Sequence, residues 1–267
     1  MSTNQEPLLH YEVHGHGGPY VLLVHGMLSS RAQWSLNLDA LSVSFRPLVV
    51  ELLGHGRSPA PDDGEAYLPD AYVARFEAIR ADLGAERWFI CGQSLGAALT
   101  LRYALDHPAR VIAQVFTNSN SALAGEEWRR RVLPLMEAQA KQIEQAGRAA
   151  LEHHPLRPGR GRRLPAEARA ALEADYALHD PLGIARTALH TVPNSSVRDR
   201  IAANTVPTLL VAGEREESFR NQSRFAESAI PHISVLRLDA GHAVNLEAAT
   251  EFNSAVLTFF QEALAIS

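Results

Sequence analysis

The stretch that decides the fold is Trp88-Phe89-Ile90-Cys91-Gly92-Gln93-Ser94-Leu95-Gly96-Ala97-Ala98-Leu99-Thr100-Leu101. It opens with the apolar run of a buried strand and closes with an alanine- and leucine-rich helical run. Between them stands Gly92-Gln93-Ser94-Leu95-Gly96, a G-x-S-x-G sequence. A strand-to-helix turn this tight forces Ser94 into a strained backbone conformation, which the flanking glycines permit. The sequence therefore predicts a serine hydroxyl raised above a sheet at a helix N-terminus.

Outward from this turn, short apolar and β-branched runs alternate with helix-period segments. That alternation is typical of a mostly parallel sheet with helices on both faces. We predict an α/β fold built on a twisted sheet of about eight strands flanked by helices. The strand segments that we identify are His10–His14, Tyr20–His25, Pro47–Leu52, Arg87–Cys91, Val111–Thr117, Pro207–Ala212 and Ile233–Leu238.

Three helices are predicted between and after these strands. The segment Asp70–Leu83 places apolar residues three and four apart, which is helical spacing. The helix after Ser94 is expected to run from Leu95 to about Asp106, because Pro108 disfavours a helical conformation at the residue before it. The last predicted helix runs from Thr250 to about Leu264.

The alternation stops between residues 119 and 204, which are rich in helix-period segments and lack a convincing strand. We interpret this stretch as a helical lid inserted into a core formed by residues 1–118 and 205–267; additional covering helices are the alternative. Its predicted helices are Glu126–Glu152, Pro165–Tyr176 and Pro181–His190, and the apolar residues expected on its inner surface are Leu133, Met136, Ile143, Leu182 and Ile184. Arginines 157–163 are expected to form a solvated loop, with recruitment of an anionic substrate as the alternative.

Bulk composition sets limits on function. The 267 residues are 46% hydrophobic and 21% charged, as in soluble globular domains. A net charge of −5 does not indicate a nucleic-acid or membrane partner, and no apolar run reaches membrane length. Because Met1 to Pro7 is polar, we expect a cytoplasmic protein. The single cysteine, Cys91, excludes a disulfide framework, no metal or other cofactor is expected, and the oligomeric state cannot be deduced.

A serine hydroxyl is a weak nucleophile until a neighbouring base takes its proton. The candidate base is His242, which follows the predicted strand Ile233–Leu238 after a glycine that lets the loop turn. Most of the 12 histidines, including His153-His154 and His190, are expected on the surface, and no pair shows convincing metal-ligand spacing. His242 is therefore predicted to be the catalytic imidazole.

An imidazole base needs an acid that fixes its tautomer and stabilises its charged form. The strand Pro207–Ala212 runs into Gly213-Glu214-Arg215-Glu216-Glu217, ahead of the histidine strand. Glu216 is the first choice for this acid and Glu217 the second, since Glu217 is expected to begin the next helix. The order along the chain is then Ser94, Glu216, His242.

Negative charge that develops on a substrate oxygen requires preorganised donors. The backbone N–H of Leu95, next to Ser94, is one predicted donor. The backbone N–H of Met27 is the other, because His25-Gly26-Met27 follows the strand that contains Val21–Val24.

Taken in order, these blocks resemble the α/β-hydrolase fold family. The matching blocks are His25-Gly26-Met27, Gly54-His55-Gly56-Arg57-Ser58, Gly92-Gln93-Ser94-Leu95-Gly96 and Gly241-His242. The resemblance covers the sheet from about Tyr20 onward and implies a Ser–acid–His triad, a two-amide oxyanion hole and no cofactor. The family usually has Asp where this chain has Glu216, and Glu51 also replaces the usual Asp before the G-H-G turn.

Branches of this family differ in chemistry. Ser94 argues against the dehalogenases and epoxide hydrolases, which use Asp as nucleophile, and Met27-Leu28-Ser29-Ser30 lacks the Gly-Pro-Gly-like loop usual in ring-cleavage C–C hydrolases. Gly213-Glu214-Arg215 and Phe219-Arg220 look similar to the menaquinone-pathway synthase, whose substrate-binding Arg is here Ala98. A small-molecule ester or lactone hydrolase is therefore the expected function. A C–C hydrolase, an eliminative lyase and a non-catalytic ligand receptor are the alternatives.

Overall fold

The computed structural model describes residues 9 to 266, so the predicted N-terminal stretch Met1 to Pro7 lies outside the described residues. Seven strands form one sheet in this part of the chain. They are β1 (Tyr11–Val13), β2 (Tyr20–Val24), β3 (Arg46–Val50), β4 (Trp88–Gly92), β5 (Val111–Thr117), β6 (Thr208–Gly213) and β7 (Ile233–Leu238). Their order across the sheet is β1-β3-β2-β4-β5-β6-β7, with β1 antiparallel to β3 and every other pair parallel.

Helices cover the sheet and fill the stretch between β5 and β6. They are α1 (Leu38–Ser42), α2 (Pro69–Asp82), α3 (Leu95–Asp106), α4 (Glu126–Ala146), α5 (Arg148–Glu152), α6 (Ala166–Tyr176), α7 (Pro181–Arg186), α8 (Arg220–Ala229), α9 (Val244–Glu247) and α10 (Ala249–Ala265). Several turns of 3-10 helix link them.

The central strands are buried on both faces, as their uninterrupted apolar runs predict. Successive side chains of a strand point to opposite faces. Leu22 and Val24 of β2 accordingly join the core cluster that contains side chains of α2 and α3. Val21 and Leu23 join the cluster on the other face, which contains side chains of α10. The two-sided core explains why β2 and β4 carry almost no polar residue.

The predicted α/β architecture is confirmed. Each predicted strand is present with small differences at its ends, and Val111–Thr117 and Ile233–Leu238 have the predicted bounds. The helix Leu95–Asp106 also has its predicted bounds, while the helices expected at Asp70–Leu83 and from Thr250 to Leu264 are found as α2 and α10.

Residues between β5 and β6 contain no strand in the described chain, as predicted. The single helix expected over Glu126–Glu152 is wrong, because it is divided into α4 and α5 at Gly147, whose φ is 54°. Left-handed backbone ends a helix, and glycine adopts it without steric cost. Pro181–His190 is likewise a shorter α-helix, α7, followed by a π-helical turn at Thr187–Thr191.

Asp175 at the end of α6 joins this helical insertion to the core. Its carboxylate accepts hydrogen bonds from Ser30 Oγ at 2.9 Å and from the Arg57 guanidinium at 3.1 Å. The same guanidinium donates to the buried Glu51 at 3.3 Å. Glu51 therefore serves as an internal anchor for Arg57, which in turn ties α6 to the loop after β3.

Within residues 9 to 266, every helix is too short or too polar to span a membrane. No group of three or more His, Cys, Asp or Glu side chains there is arranged to hold a metal ion. Cys91 lies buried in β4, and burial raises the pKa of its thiol far above the usual range, so the thiol stays protonated.

Candidate active site

Ser94 occupies the turn between β4 and α3 with φ 55° and ψ −118°. Such a backbone conformation costs a non-glycine residue about 1–3 kcal/mol and is characteristic of functional sites. The flanking glycines are sterically required: a Cβ on Gly92 would lie 2.5 Å from Ala97 Cα, and one on Gly96 would overlap the Val24 carbonyl oxygen. Ser94 is half-buried, whereas its neighbours on both sides are buried. The turn thus leaves the serine side chain partly exposed at the N-terminus of α3, as the sequence predicts.

The loop after β2 lies directly against this turn. A Cβ placed on Gly26 would be 2.8 Å from Ser94 Cβ and 2.6 Å from Gln93 Oε1, so only glycine fits there. Within residues 9 to 266, the backbone N–H groups of Met27 and Leu95 donate no hydrogen bond to another protein group. Two uncommitted amide donors therefore border the serine from adjacent segments of chain.

His242 and Glu216 are in direct contact. His242 Nδ1 lies 2.8 Å from Glu216 Oε2, and the glutamate side chain is 17% exposed against 47% for the histidine. Nδ1 carries the proton in this pair, because an ionised carboxylate can only accept. The bond leaves Nε2 of His242 available to act on a second group.

Three polar side chains hold the Glu216 carboxylate. Asn118 Nδ2 donates to Oε2 at 2.8 Å, while Asn120 Nδ2 and Ser218 Oγ each donate to Oε1 at 3.2 Å. Burial raises the pKa of Glu216, but the hydrogen bond and charge of His242, together with Asn118 and Ser218, outweigh it and bring the pKa below its usual value. The carboxylate is therefore ionised at neutral pH.

Glu217 lies outside this arrangement. Its side chain is 80% exposed and pairs with Arg220 at 3.6 Å. It is in the 3-10 turn Glu217–Phe219, just ahead of α8. Of the two candidate acids, the geometry places only Glu216 at His242.

Gln93 connects the histidine segment to the serine turn. Its Nε2 donates to the His242 carbonyl at 3.3 Å. The described residues contain no hydrogen bond between Ser94 Oγ and His242. The structure thus brings Glu216 and His242 together and sets their segment beside the residue that precedes Ser94. Catalytic hydrogen bonds of this kind are often long without substrate and tighten in the complex.

A buried amide network fixes the chain after His242. Gln33 Nε2 donates to Asn245 Oδ1 at 2.8 Å, and Asn37 Nδ2 donates to the Asn245 carbonyl at 2.9 Å. All three side chains are buried. This network holds α9, and with it the histidine loop, against the segment that follows the Met27 loop.

Helix α4 contributes two apolar side chains to the core on the face of the sheet that α2 and α3 cover. Trp128 and Met136 are partly buried, and both pack with Met27 against the core cluster that contains Leu95. Ile143 and Ile184, expected on the inner surface of the insertion, are buried in a cluster with Leu28, and Leu133 is partly buried. Leu182 is 45% exposed, so its expected inward position is wrong: as the second residue of α7 it lies on the helix face away from the core.

An open groove with a volume of about 550 Å³ lies next to two of the residues that bind the Glu216 carboxylate. Its wall includes Asn120 and Ser218, which hold that carboxylate, together with Trp128. Arg131 and Arg198 also line it. Arg131 is exposed, as are Arg160, Arg162 and Arg163 of the arginine loop.

Comparison with known proteins identifies the family of this chain. A family model described as the alpha/beta hydrolase fold matches residues 19–249. The chain belongs to the alpha/beta hydrolase family. It is 31% identical to the putative carbamate hydrolase RutD of Variovorax paradoxus, over 94% of this chain and 95% of that protein.

Two further similarities extend over nearly the whole chain. One is to the putative 2-succinyl-6-hydroxy-2,4-cyclohexadiene-1-carboxylate synthase of Bacillus subtilis, at 26% identity over 90% of this chain and 89% of that protein. The other is to the crystal structure of the enol-lactonase from Burkholderia xenovorans LB400, with a TM-score of 0.79 and 23% identity over 95% and 96% of the two chains. The structural similarity extends the shared fold to the helical insertion.

Sequence reasoning missed the residues that support the predicted ones. Asn118 and Asn120 follow β5 directly, and polar residues just beyond the carboxyl end of a parallel strand are a recognisable signal. Asn245 and Gln33 gave no such signal, because their partners are distant in sequence. Their contribution requires the folded chain.

Proposed function

We propose that this protein is a serine hydrolase that cleaves a carboxylic ester or lactone of a small molecule through an acyl-enzyme. The observation that carries the proposal is the Glu216–His242 hydrogen bond of 2.8 Å, formed beside the strained Ser94 turn. A carboxylate that orients an imidazole next to a raised serine is the arrangement that activates a serine hydroxyl.

In the proposed first step, Ser94 Oγ attacks the substrate carbonyl while His242 Nε2 takes its proton. Glu216 keeps the His242 proton on Nδ1 and stabilises the imidazolium that forms. The tetrahedral oxyanion is stabilised by the backbone N–H groups of Met27 and Leu95. His242 then protonates the departing alcohol oxygen, which leaves an ester on Ser94.

In the second step, His242 takes a proton from water, and the hydroxide attacks the Ser94 ester. The new tetrahedral species collapses, and His242 returns the proton to Ser94 Oγ. The carboxylic acid is released, and every group is restored. For a lactone, the alcohol and the acid belong to one product molecule.

The comparisons support this class of reaction without naming the substrate. A carbamate hydrolase and an enol-lactonase each cleave a carbonyl–heteroatom bond by name. Trp128 and Met136 of α4, like Met27, pack partly buried against the core cluster that contains Leu95. We propose that they form an apolar wall over Ser94, which favours small hydrophobic acyl or alcohol groups. The helical stretch of residues 119–204 is proposed to act as the lid of this cleft, and cytoplasmic location also stays a prediction.

An eliminative lyase is the second candidate, because the similarity to the Bacillus synthase covers 90% of this chain. The position at which the synthase carries a substrate-binding Arg is here Ala98, which is buried in an apolar cluster. Position 98 therefore lacks the positive charge with which the synthase binds its substrate. Ester or lactone hydrolysis requires nothing beyond the residues already described.

The proposal is tested with purified protein on a panel of p-nitrophenyl esters and lactones of increasing chain length, alongside Ser94→Ala. We expect hydrolysis of short acyl esters or lactones, and a loss on the order of 10⁶-fold in turnover in the variant, as in another triad hydrolase. More than about a tenth of wild-type turnover in Ser94→Ala would overturn the mechanism. No hydrolysis of any panel member would favour the lyase or a ligand receptor.

A further inference from the structure

Two fully buried histidines lie directly behind the Met27 loop. His25 directly follows β2, and His55 lies in the turn after β3. Their ring centroids are 5.2 Å apart, and neither side chain is reached by solvent. The triad mechanism uses neither of them.

The hydrogen bonds of His25 determine its tautomer. Its Nε2 accepts the Leu52 backbone N–H at 3.0 Å, so that nitrogen carries no proton. Its Nδ1, 2.7 Å from the Gly26 carbonyl oxygen, is then the donor. Gly26 C=O and Met27 N–H belong to one planar peptide and point in opposite directions. The imidazole therefore holds the peptide whose N–H is the proposed oxyanion donor.

His55 holds the next peptide, Met27–Leu28, by accepting a hydrogen bond from it. Its Nε2 accepts the Leu28 backbone N–H at 3.0 Å, and its Nδ1 lies 2.9 Å from the Leu53 carbonyl oxygen. Leu28 has φ 61°, a conformation that is unfavourable for a residue with a side chain. The imidazole acceptor thus helps to keep Leu28 in a backbone state that it would otherwise leave.

Both rings must be uncharged to make these bonds. Burial lowers the pKa of His25 to about 3, and electrostatic repulsion between the His25 and His55 rings when protonated contributes to this. Burial also lowers the pKa of His55 to about 4. A third imidazole, that of His179, packs against His55 with ring centroids 5.1 Å apart. The His179 backbone carbonyl accepts a hydrogen bond from the Arg148 guanidinium. Burial, the neighbouring His55 and this guanidinium each lower the pKa of His179.

We propose that His25 and His55 are positioning residues of the oxyanion hole, whose neutral Nδ1–H tautomers clamp the Gly26–Met27 and Met27–Leu28 peptides. The proposal rests on the proposed function, since it assigns a task to the Met27 amide. A donor to the Gly26 carbonyl also polarises the shared peptide and strengthens Met27 N–H as a donor. The hole is thereby preorganised before the substrate enters.

His25 contacts the Met27 loop through Nδ1, whereas His55 contacts it through Nε2. Different substitutions should therefore preserve the two contacts. An Asn amide nitrogen can take the place of Nδ1, and a Gln amide oxygen can take the place of Nε2 as acceptor. At position 25 the essential group is the Nδ1 donor, so His25→Asn should retain more activity than His25→Gln. At position 55 the essential group is the Nε2 acceptor, so His55→Gln should retain more than His55→Asn.

We expect His25→Phe and His55→Phe to lower kcat by roughly 10- to 100-fold, less than complete removal of an oxyanion donor, with little change in KM. The crossed order of the Asn and Gln variants should appear in kcat and in the affinity for a trifluoromethyl ketone, whose serine adduct carries an oxyanion. His107→Phe is the matched control, because it also removes a partly buried imidazole but lies just after α3, at the other end of that helix from Ser94. Its kcat should stay within about twofold of wild type.

Ring nitrogen NMR of the wild-type protein tests the clamp without any variant. Both histidines should show a protonated Nδ1 and an unprotonated Nε2 from pH 8 to pH 5. Titration of either ring near pH 6.5, or equal effects of Asn and Gln at both positions, would overturn the positioning role. If Ser94→Ala is inactive at the same time, the proposed function stands. Undiminished activity of Ser94→Ala would instead overturn the proposed function, and this role with it.

Discussion

At the scale of single residues, the structure distinguishes two adjacent carboxylates, Glu216 and Glu217, as candidates for the acid that pairs with His242. The family usually places Asp in this loop, and a Glu is one methylene longer. The structure accommodates that length by seating the Glu216 carboxylate on Asn118, Asn120 and Ser218, with His242 on the remaining side. The neighbouring Glu217 points to solvent.

We predict that Glu216→Gln lowers turnover by about 10⁴-fold, because a neutral amide no longer fixes the imidazole tautomer. Glu217→Gln is the matched control, with the same chemical change one residue away, and should alter turnover by less than about tenfold. Steady-state kinetics of both variants measure the difference. The reverse ranking would show that the acid had been assigned to the wrong residue.

Sequence patterns identify Ser94, His242 and Glu216 as candidates because each follows a strand directly, and strand ends are local features. They could not choose firmly between Glu216 and Glu217, since that depends on Asn118 in the neighbouring strand's loop. The roles of His25 and His55 were equally hidden, because their partners Leu52 and Leu28 are determined by the packing of two separate turns.

At the scale of secondary-structure elements, glycine is required for two different reasons: lack of space for a Cβ at some positions and a positive φ at others. Gly96 opens α3 against β2, and a Cβ there would overlap backbone atoms of Val24 and His25. Gly147 has φ 54° but open space around its Cα, while Gly17 has neither restriction. The turn around Ser94 therefore depends on glycine for a reason different from the break between α4 and α5.

We predict a graded loss of stability in three glycine-to-alanine variants. Gly17→Ala should change the free energy of unfolding by less than about 0.5 kcal/mol, and Gly147→Ala should lower it by about 1 kcal/mol. Gly96→Ala should lower it by more than about 3 kcal/mol, because the strand and helix must move apart. Urea denaturation of the three proteins gives the order, and equal values for Gly96→Ala and Gly17→Ala would contradict it.

Most elements follow from sequence because their cause is local: apolar alternation, helical spacing, and Pro108 after α3. The single helix expected over Glu126–Glu152 failed at Gly147, since an isolated glycine in a helical pattern is compatible with either continuation or termination. The inward position expected of Leu182 failed because the orientation of α7 is determined by contacts of Gly183 with Gly54 on the core.

At the scale of the whole molecule, the buried histidines couple folding to pH. The pKa of His25 is lowered to about 3 and that of His55 to about 4, both by burial, whereas histidines in the unfolded chain titrate near 6.5. Below pH 6.5 the unfolded chain takes up protons that the folded chain excludes. The stability that depends on these neutral rings is present above pH 6.5 and is lost as pH falls toward 4.

We predict that the free energy of unfolding declines from pH 7 to pH 5, approaching about 1.4 kcal/mol per pH unit for each of the two rings. Urea denaturation across this range measures the slope. His55→Gln removes one titrating ring and should make the slope shallower than in the wild type. A stability that is independent of pH over this interval would mean that the rings are solvated or charged in the folded protein.

In the proposed mechanism, Ser94 forms a covalent ester with the acyl group of the substrate. The most direct measurement is peptide mass spectrometry of protein quenched in acid during turnover of a p-nitrophenyl ester or lactone that it hydrolyses. We expect the acyl group on the peptide that contains Ser94. An acyl group on any other residue, or turnover with no covalent intermediate and full activity in Ser94→Ala, would contradict it.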